Sequence, residues 1–101
     1  MSHFRLTKQA QTDLINIRKF TVAEWGEAQS NKYLSGLSNT IELLAQSPKL
    51  GKHRPDVSNE TFSHPYNSHA IYYLIHNKTI VIFGILHQKM VPTNHLNLSK
   101  N

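Results

Sequence analysis

The stretch HAIYYLIHNKTIVIFGILHQKM, His69 to Met90, decides how this chain folds. Two apolar runs flank a short polar break and end in the polar, basic group His87-Gln88-Lys89-Met90. The runs are rich in Ile, Val, Tyr and Phe, side chains that suit a pleated surface, so they read as strands. The break reads as a turn at Asn77-Lys78, and a two-residue turn pairs His76 with Thr79. One face of the hairpin then carries Ile71, Tyr73, Ile75, Ile80, Ile82 and Leu86. The other carries Tyr72, Leu74, Val81, Phe83 and Ile85. In this register His69 and His87 point to opposite faces.

Upstream, HFRLT at residues 3 to 7 alternates and stops at a capping residue. It reads as a short strand with Phe4 and Leu6 on one face, and Thr7 caps a helix. Ala10, Leu14, Ile17, Thr21 and Trp25 form a helical stripe. Gly26 suits a left-handed stop. Leu34, Leu37, Ile41 and Leu44 carry a second helix, ended by Pro48 with Gly51 beyond. The short link makes the two an antiparallel hairpin. Gly36, mid-helix, is read as allowing the partner helix to come close. Residues 47 to 60 are loop by composition and gather Lys49, Lys52, His53 and Arg54. A short strand is expected before Pro65. The tail VPTNHLNLSKN begins at a proline and is polar. It has room for one helical turn, and from about residue 92 it is expected to be partly flexible. The order is strand, helix, helix, then two or three antiparallel strands. That is an α+β fold with a helical hairpin on one face of a small, mainly antiparallel sheet.

The length of 101 residues fits a single domain over residues 1–101. Without cysteine there is no disulfide or thiolate chemistry, which suits a cytoplasmic protein. The N-terminus lacks an apolar core of a signal peptide, and no apolar run approaches a membrane span. The net charge of +5 favours acidic partners, although no Lys/Arg run marks a nucleic-acid tail.

Two helices cover only one face of a sheet. A sheet whose second face met water would alternate apolar and polar residues, and this hairpin does not. The tail folds over that face, the chain self-associates, or another protein covers it. An apolar surface of this size favours a protein partner. For chemistry the sequence offers less. No two of the seven histidines have the spacing of a familiar metal site, so no metal ligands and no cofactor are assigned. No nucleophile motif appears. Asp13, Glu24, Glu27 and Glu42 lie on helices, where solvated faces account for them. An RNA-cleaving site would need an acid, a base and cations for the phosphate. His87, Lys89, His69 and Arg54 supply those types, but each also reads as a polar strand end or loop residue. No catalytic residue is assigned.

Several pieces taken together resemble the ParE toxins of type II toxin–antitoxin modules, over about residues 4 to 96. They are Trp25-Gly26 with Ala28-Gln29, the turn Ser47-Pro48-x-Leu50-Gly51, Ser68-His69, and Leu86-His87-Gln88-x-Met90. This family shares its fold with the RelE messenger-RNA nucleases. The resemblance implies a non-enzymatic toxin that poisons DNA gyrase and so blocks replication. It also implies a ParD-like antitoxin whose acidic C-terminal segment wraps the toxin in a hetero-oligomer. DNA binding belongs to the antitoxin in such complexes, so none is expected of this chain. On this reading His87, Gln88, Lys89 and Met90 contact the target. Tyr72, Leu74 and Phe83 on the second sheet face, with Lys52 and Arg54 of the basic loop, contact the antitoxin. The alternative is a ribosome-dependent messenger-RNA endoribonuclease. Nuclease relatives carry a phosphate-binding Arg just after the start of the strand that corresponds to Ser68–Leu74, where this chain reads His69-Ala70-Ile71. A third reading is a decayed toxin kept as an antitoxin-binding module.

Overall fold

The computed structural model describes residues 3–96. The element order is β1 (His3–Leu6), α1 (Lys8–Trp25), α2 (Glu27–Gln46), a 3-10 turn (Pro48–Leu50), β2 (Lys52–His53), β3 (Phe62–Tyr66), β4 (His69–His76), β5 (Thr79–His87) and α3 (Pro92–His95). The five strands form one sheet in the order β1-β5-β4-β3-β2. All neighbours are antiparallel except β1 and β5, which run parallel. Both long helices lie on one face, as expected from the sequence.

Local chemistry explains the punctuation. The Thr7 hydroxyl accepts the Ala10 N–H at 3.2 Å and so caps α1. Gly26 ends α1 and opens α2 at φ 90°, a backbone region that disfavours any side chain. Here α1 and α2 touch through small polar residues. Thr21 donates to the Ile17 carbonyl at 2.8 Å and meets the Ser30 hydroxyl at 2.6 Å, and both are buried. Pro65 lies inside β3, a place where proline normally costs a ladder bond. The two-residue β2 pairs only with Phe62 and Ser63, so beside Pro65 that edge of β3 has no neighbour to lose.

The turn at Asn77-Lys78 has both residues at positive φ, 49° and 65°, and pairs His76 with Thr79 as expected. The register does not persist. Tyr72 pairs with Gly84 but Tyr73 pairs with Ile82, so Phe83 is an extra residue in β5. This bulge reverses the expected faces beyond it. Ile85, not Leu86, joins Ile71, Tyr73, Ile80 and Ile82 under the helices. Leu86 turns to the opposite face with Tyr72. Asp13 is not a solvated helix residue either. Past Leu6, β5 has no neighbour on its β1 side, and Asp13 Oδ2 accepts the Ile85 N–H there at 2.9 Å.

The main core joins Ala10 and Ile17 of α1, Leu37, Ile41 and Leu44 of α2, and the inner sheet residues. Leu14 is only half-buried, and Trp25 is 48% exposed at the end of its stripe. A smaller cluster covers the second sheet face. Val57 from the loop after β2 and Leu96 after α3 pack on Tyr72 and Leu86. The apolar face that the sequence left open is thus largely covered by the chain itself. The expected tail flexibility meets a helical turn at Pro92–His95 and a buried Leu96, while residues 97–101 lie outside the described residues.

Gly36 serves a different neighbour from the one expected. A Cβ there would overlap the Tyr66 hydroxyl of β3, not the other helix. That hydroxyl donates to the Tyr33 carbonyl at 2.8 Å. Gly36→Ala is therefore expected to destabilise the fold by about 1–3 kcal/mol through overpacking, set against a helix-propensity gain of about 1 kcal/mol. In a Tyr66→Phe background the penalty shrinks, which a double-mutant cycle by urea unfolding reads directly. Leu37, 1% exposed, tests the stripe: Leu37→Ala should cost about 2–5 kcal/mol. A loss below about half a kcal/mol would place Leu37 outside the core.

Candidate functional site

The bulge at Phe83 gathers the chemistry-bearing residues at one end of the sheet. It sets His87 opposite His69, with ring centroids 5.5 Å apart and planes at 81°. The expectation that the two point to opposite faces is therefore corrected: both lie on the helix side. Sequence spacing could not reveal this, because one inserted residue flips every following side chain.

The pair is buttressed from α2 and β3. The Tyr33 hydroxyl lies 2.7 Å from His69 Nδ1. The Tyr33 ring meets Trp25 at 5.5 Å, Tyr66 at 5.0 Å and His69 at 5.7 Å between centroids. Burial, and then the neighbouring His87, hold the His69 pKa below the ordinary histidine value. Burial likewise pushes the Tyr66 hydroxyl up. Tyr33 was missed by the sequence reading, although it lies four residues before Leu37 and extends that stripe by one turn.

His87 also starts the turn that follows β5. Its Nδ1 accepts the Lys89 N–H at 3.2 Å and its carbonyl accepts the Met90 N–H at 2.9 Å. The Gln88 N–H donates to the Ser68 carbonyl at 2.8 Å. The side chains of Gln88, Lys89 and Met90 are exposed, Met90 at 43%. The four residues expected to contact a target are thus one compact turn beside the histidine pair. With Nδ1 as acceptor, neutral His87 carries its proton on Nε2 and keeps no free lone pair for a metal. Among the described residues no group of three or more His, Cys, Asp and Glu comes together.

Arg54 lies across the sheet from this cluster. It grips Asp56 through two bonds, Nε to Oδ1 at 2.9 Å and Nη2 to Oδ2 at 2.8 Å. Nη1 reaches the Ser63 hydroxyl at 3.2 Å, and the guanidinium stacks over the Tyr72 ring at 5.6 Å. The hydrogen bonds to Asp56 hold the Arg54 pKa above its ordinary value and the Asp56 carboxyl below the ordinary carboxylate value. Of the five residues expected to bind an antitoxin, Tyr72 is therefore buried under Arg54, Val57 and Leu96, and Arg54 is itself engaged. Leu74 and Phe83 are half-buried on the same face, and Lys52 is exposed on β2.

The open apolar surface is elsewhere. Leu14, Ile15 and Arg18 of α1, Leu34, Leu37, Ser38 and Ile41 of α2, and Phe4 and Leu6 of β1 line a groove of about 360 Å³. Ile15 is 56% and Phe4 37% exposed. Sequence periodicity had placed Leu14 and Leu34 in the core. Both pack against the core but stay partly exposed along the groove, which periodicity could not show.

The family model for the ParE toxin of the type II toxin–antitoxin system parDE matches residues 4–92. Toxin ParE1 of Caulobacter vibrioides is 29% identical over 96 residues, covering 95% of this chain and 99% of the relative. Toxin ParE1 of Mycobacterium tuberculosis is 29% identical over 90 residues, covering 88% of this chain and 92% of the relative. Among solved structures, the chromosomal ParDE toxin–antitoxin system of P. aeruginosa includes a chain that superimposes with a TM-score of 0.75 at 20% identity, over 86% of this chain and 96% of that one. A chain of the M. tuberculosis toxin–antitoxin complex RelBE2 gives a TM-score of 0.60 at 21% identity, over 85% of this chain and 96% of that one. At these identities the structural likeness is one of fold, and the family model identifies the lineage: this chain belongs to the ParE toxin family of type II toxin–antitoxin systems.

Proposed function

We propose that the chain is a toxin that acts by binding rather than by catalysis, inhibiting DNA gyrase in the cytoplasm and so blocking replication, and that a ParD-like antitoxin neutralises it. One observation carries the non-enzymatic reading. Of the groups named for phosphodiester cleavage, Lys89 stays in the turn beside the two histidines, but Arg54, the other cation, lies on the opposite face of the sheet. His69 and His87 sit on the helix side, whereas Arg54 sits opposite with its guanidinium held by Asp56. A phosphate cannot meet both at once.

The exposed turn Gln88–Met90 supports target binding, with Lys89 as cationic contact and Met90 as adaptable apolar contact. The groove between α1, α2 and β1 supports antitoxin binding in place of the covered sheet face. It is apolar along its length and carries Arg18 on its wall, in a chain of net charge +5. An acidic, amphipathic helix fits both features, with its apolar stripe in the groove.

Two tests follow from this reading. The purified chain should inhibit gyrase supercoiling and leave messenger RNA on ribosomes uncut. His87→Gln should keep growth arrest on induction, since no proton transfer is asked of it, whereas a nuclease would lose about 10²–10⁴-fold in rate. Cleavage on ribosomes with gyrase untouched would overturn the reading. For the antitoxin, Ile15→Asp should weaken binding of the antitoxin's C-terminal segment by about tenfold or more, because it removes an apolar contact worth about 1.5–3 kcal/mol. Titration calorimetry measures this, and an unchanged affinity would move the antitoxin site away from the groove.

A further inference from the structure

The free edges of the sheet are blunted except along β1. Beside β3, the short β2 pairs only with Phe62 and Ser63, and beyond them Pro65 offers no N–H. Where β5 runs past Leu6, Asp13 takes the Ile85 N–H. The outer side of β1, a terminal strand, is left. The Thr7 N–H donates to the Ile82 carbonyl at 3.0 Å, so Arg5 and His3, at alternate positions before it, also turn their main-chain groups to β5. Phe4 and Leu6 turn theirs outward. The Leu6 carbonyl accepts the Gln11 side-chain amide at 3.2 Å. Among the described residues nothing takes the Phe4 N–H, the Phe4 carbonyl or the Leu6 N–H. Such a row is a template for another strand.

The side chains along this row are patterned. Phe4 and Leu6 border the groove, with Phe4 37% exposed. His3 and Arg5 alternate with them, belong to the other face and are exposed. Among the described residues Arg54–Asp56 is the only ion pair, so no carboxylate neutralises Arg5. A second copy of this chain would bring a second Arg5 to the same edge, like charge against like. An acidic strand finds its complement there, in a chain of net charge +5.

We infer that the outer edge of β1 binds an extended segment of a partner protein, one that alternates apolar and acidic side chains and extends the sheet by a strand. Main-chain bonds to Phe4 and Leu6 hold it. Its apolar side chains lie beside Phe4 and Leu6 at the rim of the groove, and its carboxylates lie beside His3 and Arg5. That this segment continues the helix in the groove rests on the antitoxin reading. The strand site itself does not.

The test uses the isolated full chain and a synthetic peptide of about six residues, blocked at both ends, in which Glu and Val alternate. Amide hydrogen exchange is followed by nuclear magnetic resonance. With peptide at about ten times its Kd, the Phe4 and Leu6 amides should exchange about tenfold more slowly, because only the unbound chain exchanges there. The Arg5 amide, already bonded to β5, should change little. A fully N-methylated peptide should protect neither amide. Phe4→Ala should weaken peptide binding, and Phe4→Pro, which also removes the outward N–H but no bond to β5, should abolish it. Should Phe4→Pro fail to fold, the methylated peptide on the wild-type chain still decides. Absence of protection at Phe4 and Leu6 overturns the proposal, as does protection by the methylated peptide. Protection that rises with chain concentration in the absence of peptide would assign the edge to a second copy and overturn it too. If Ile15→Asp leaves antitoxin affinity unchanged while the peptide protects Phe4 and Leu6, the groove reading falls and the strand site stands.

Discussion

The pairing of β4 with β5 contains one residue too many, and most of what distinguishes the two ends of this molecule depends on it. From the turn at Asn77-Lys78 up to Tyr73, the hairpin keeps the register its two-residue turn imposes. At Phe83 the count slips. Below the slip, Ile80 and Ile82 fill the space under the helices. Above it, Ile85 takes that place and Leu86 moves to the other side. Without the extra residue His87 would face away from Tyr33 and His69. The turn after β5 would then start from the wrong side of the sheet.

Around this hairpin the chain is tied by tyrosine hydroxyls that reach from the sheet to its coverings. Tyr73 donates to the Pro48 carbonyl at 2.7 Å and accepts the Gly51 N–H at 3.0 Å, which fixes the turn after α2. A side chain on Gly51 would overlap that hydroxyl. Tyr66 does the same for the middle of α2, with Gly36 as the matching gap. The buried Tyr73 ring and the half-buried Tyr66 ring each bring apolar area to the core while the polar end is satisfied by backbone. The glycines of the 47–51 turn and of α2 are therefore the imprint of aromatic residues on distant strands.

The fold class was legible because its signals are local. Thr7, Gly26 and Pro48 mark helix ends by their own chemistry, and the Ile/Val-rich runs mark strands by theirs. The site was not legible for two reasons. A bulge leaves no trace in alternation when both faces are apolar: Val81, Phe83, Ile85 and Leu86 look equally at home on either side. Coverage of the second face depends on Val57 and Leu96, which lie in segments whose composition is polar. The basic loop suggested a docking surface, yet Asp56, two residues after Arg54, turns its guanidinium to an internal use. The groove beside β1 is lined by Leu14 and Leu34, stripe residues that look core-bound but are only partly buried.

The parallel strand at the sheet's edge bears on how the molecule comes into being. His3 pairs with Thr79 and Leu6 with Ile82, so β1 has no partner until β5, more than 70 residues later, has been made. Closing so long a loop costs entropy before any contact returns it, which slows the pairing of β1 with β5. Until then α1 and α2 can zip into their hairpin through neighbouring contacts, but Phe4 and Leu6 cannot yet be set as the floor of the groove. The two ends of β5 thus differ in what completes them: the histidine end needs only its hairpin partner β4, whereas the groove needs β1 as well.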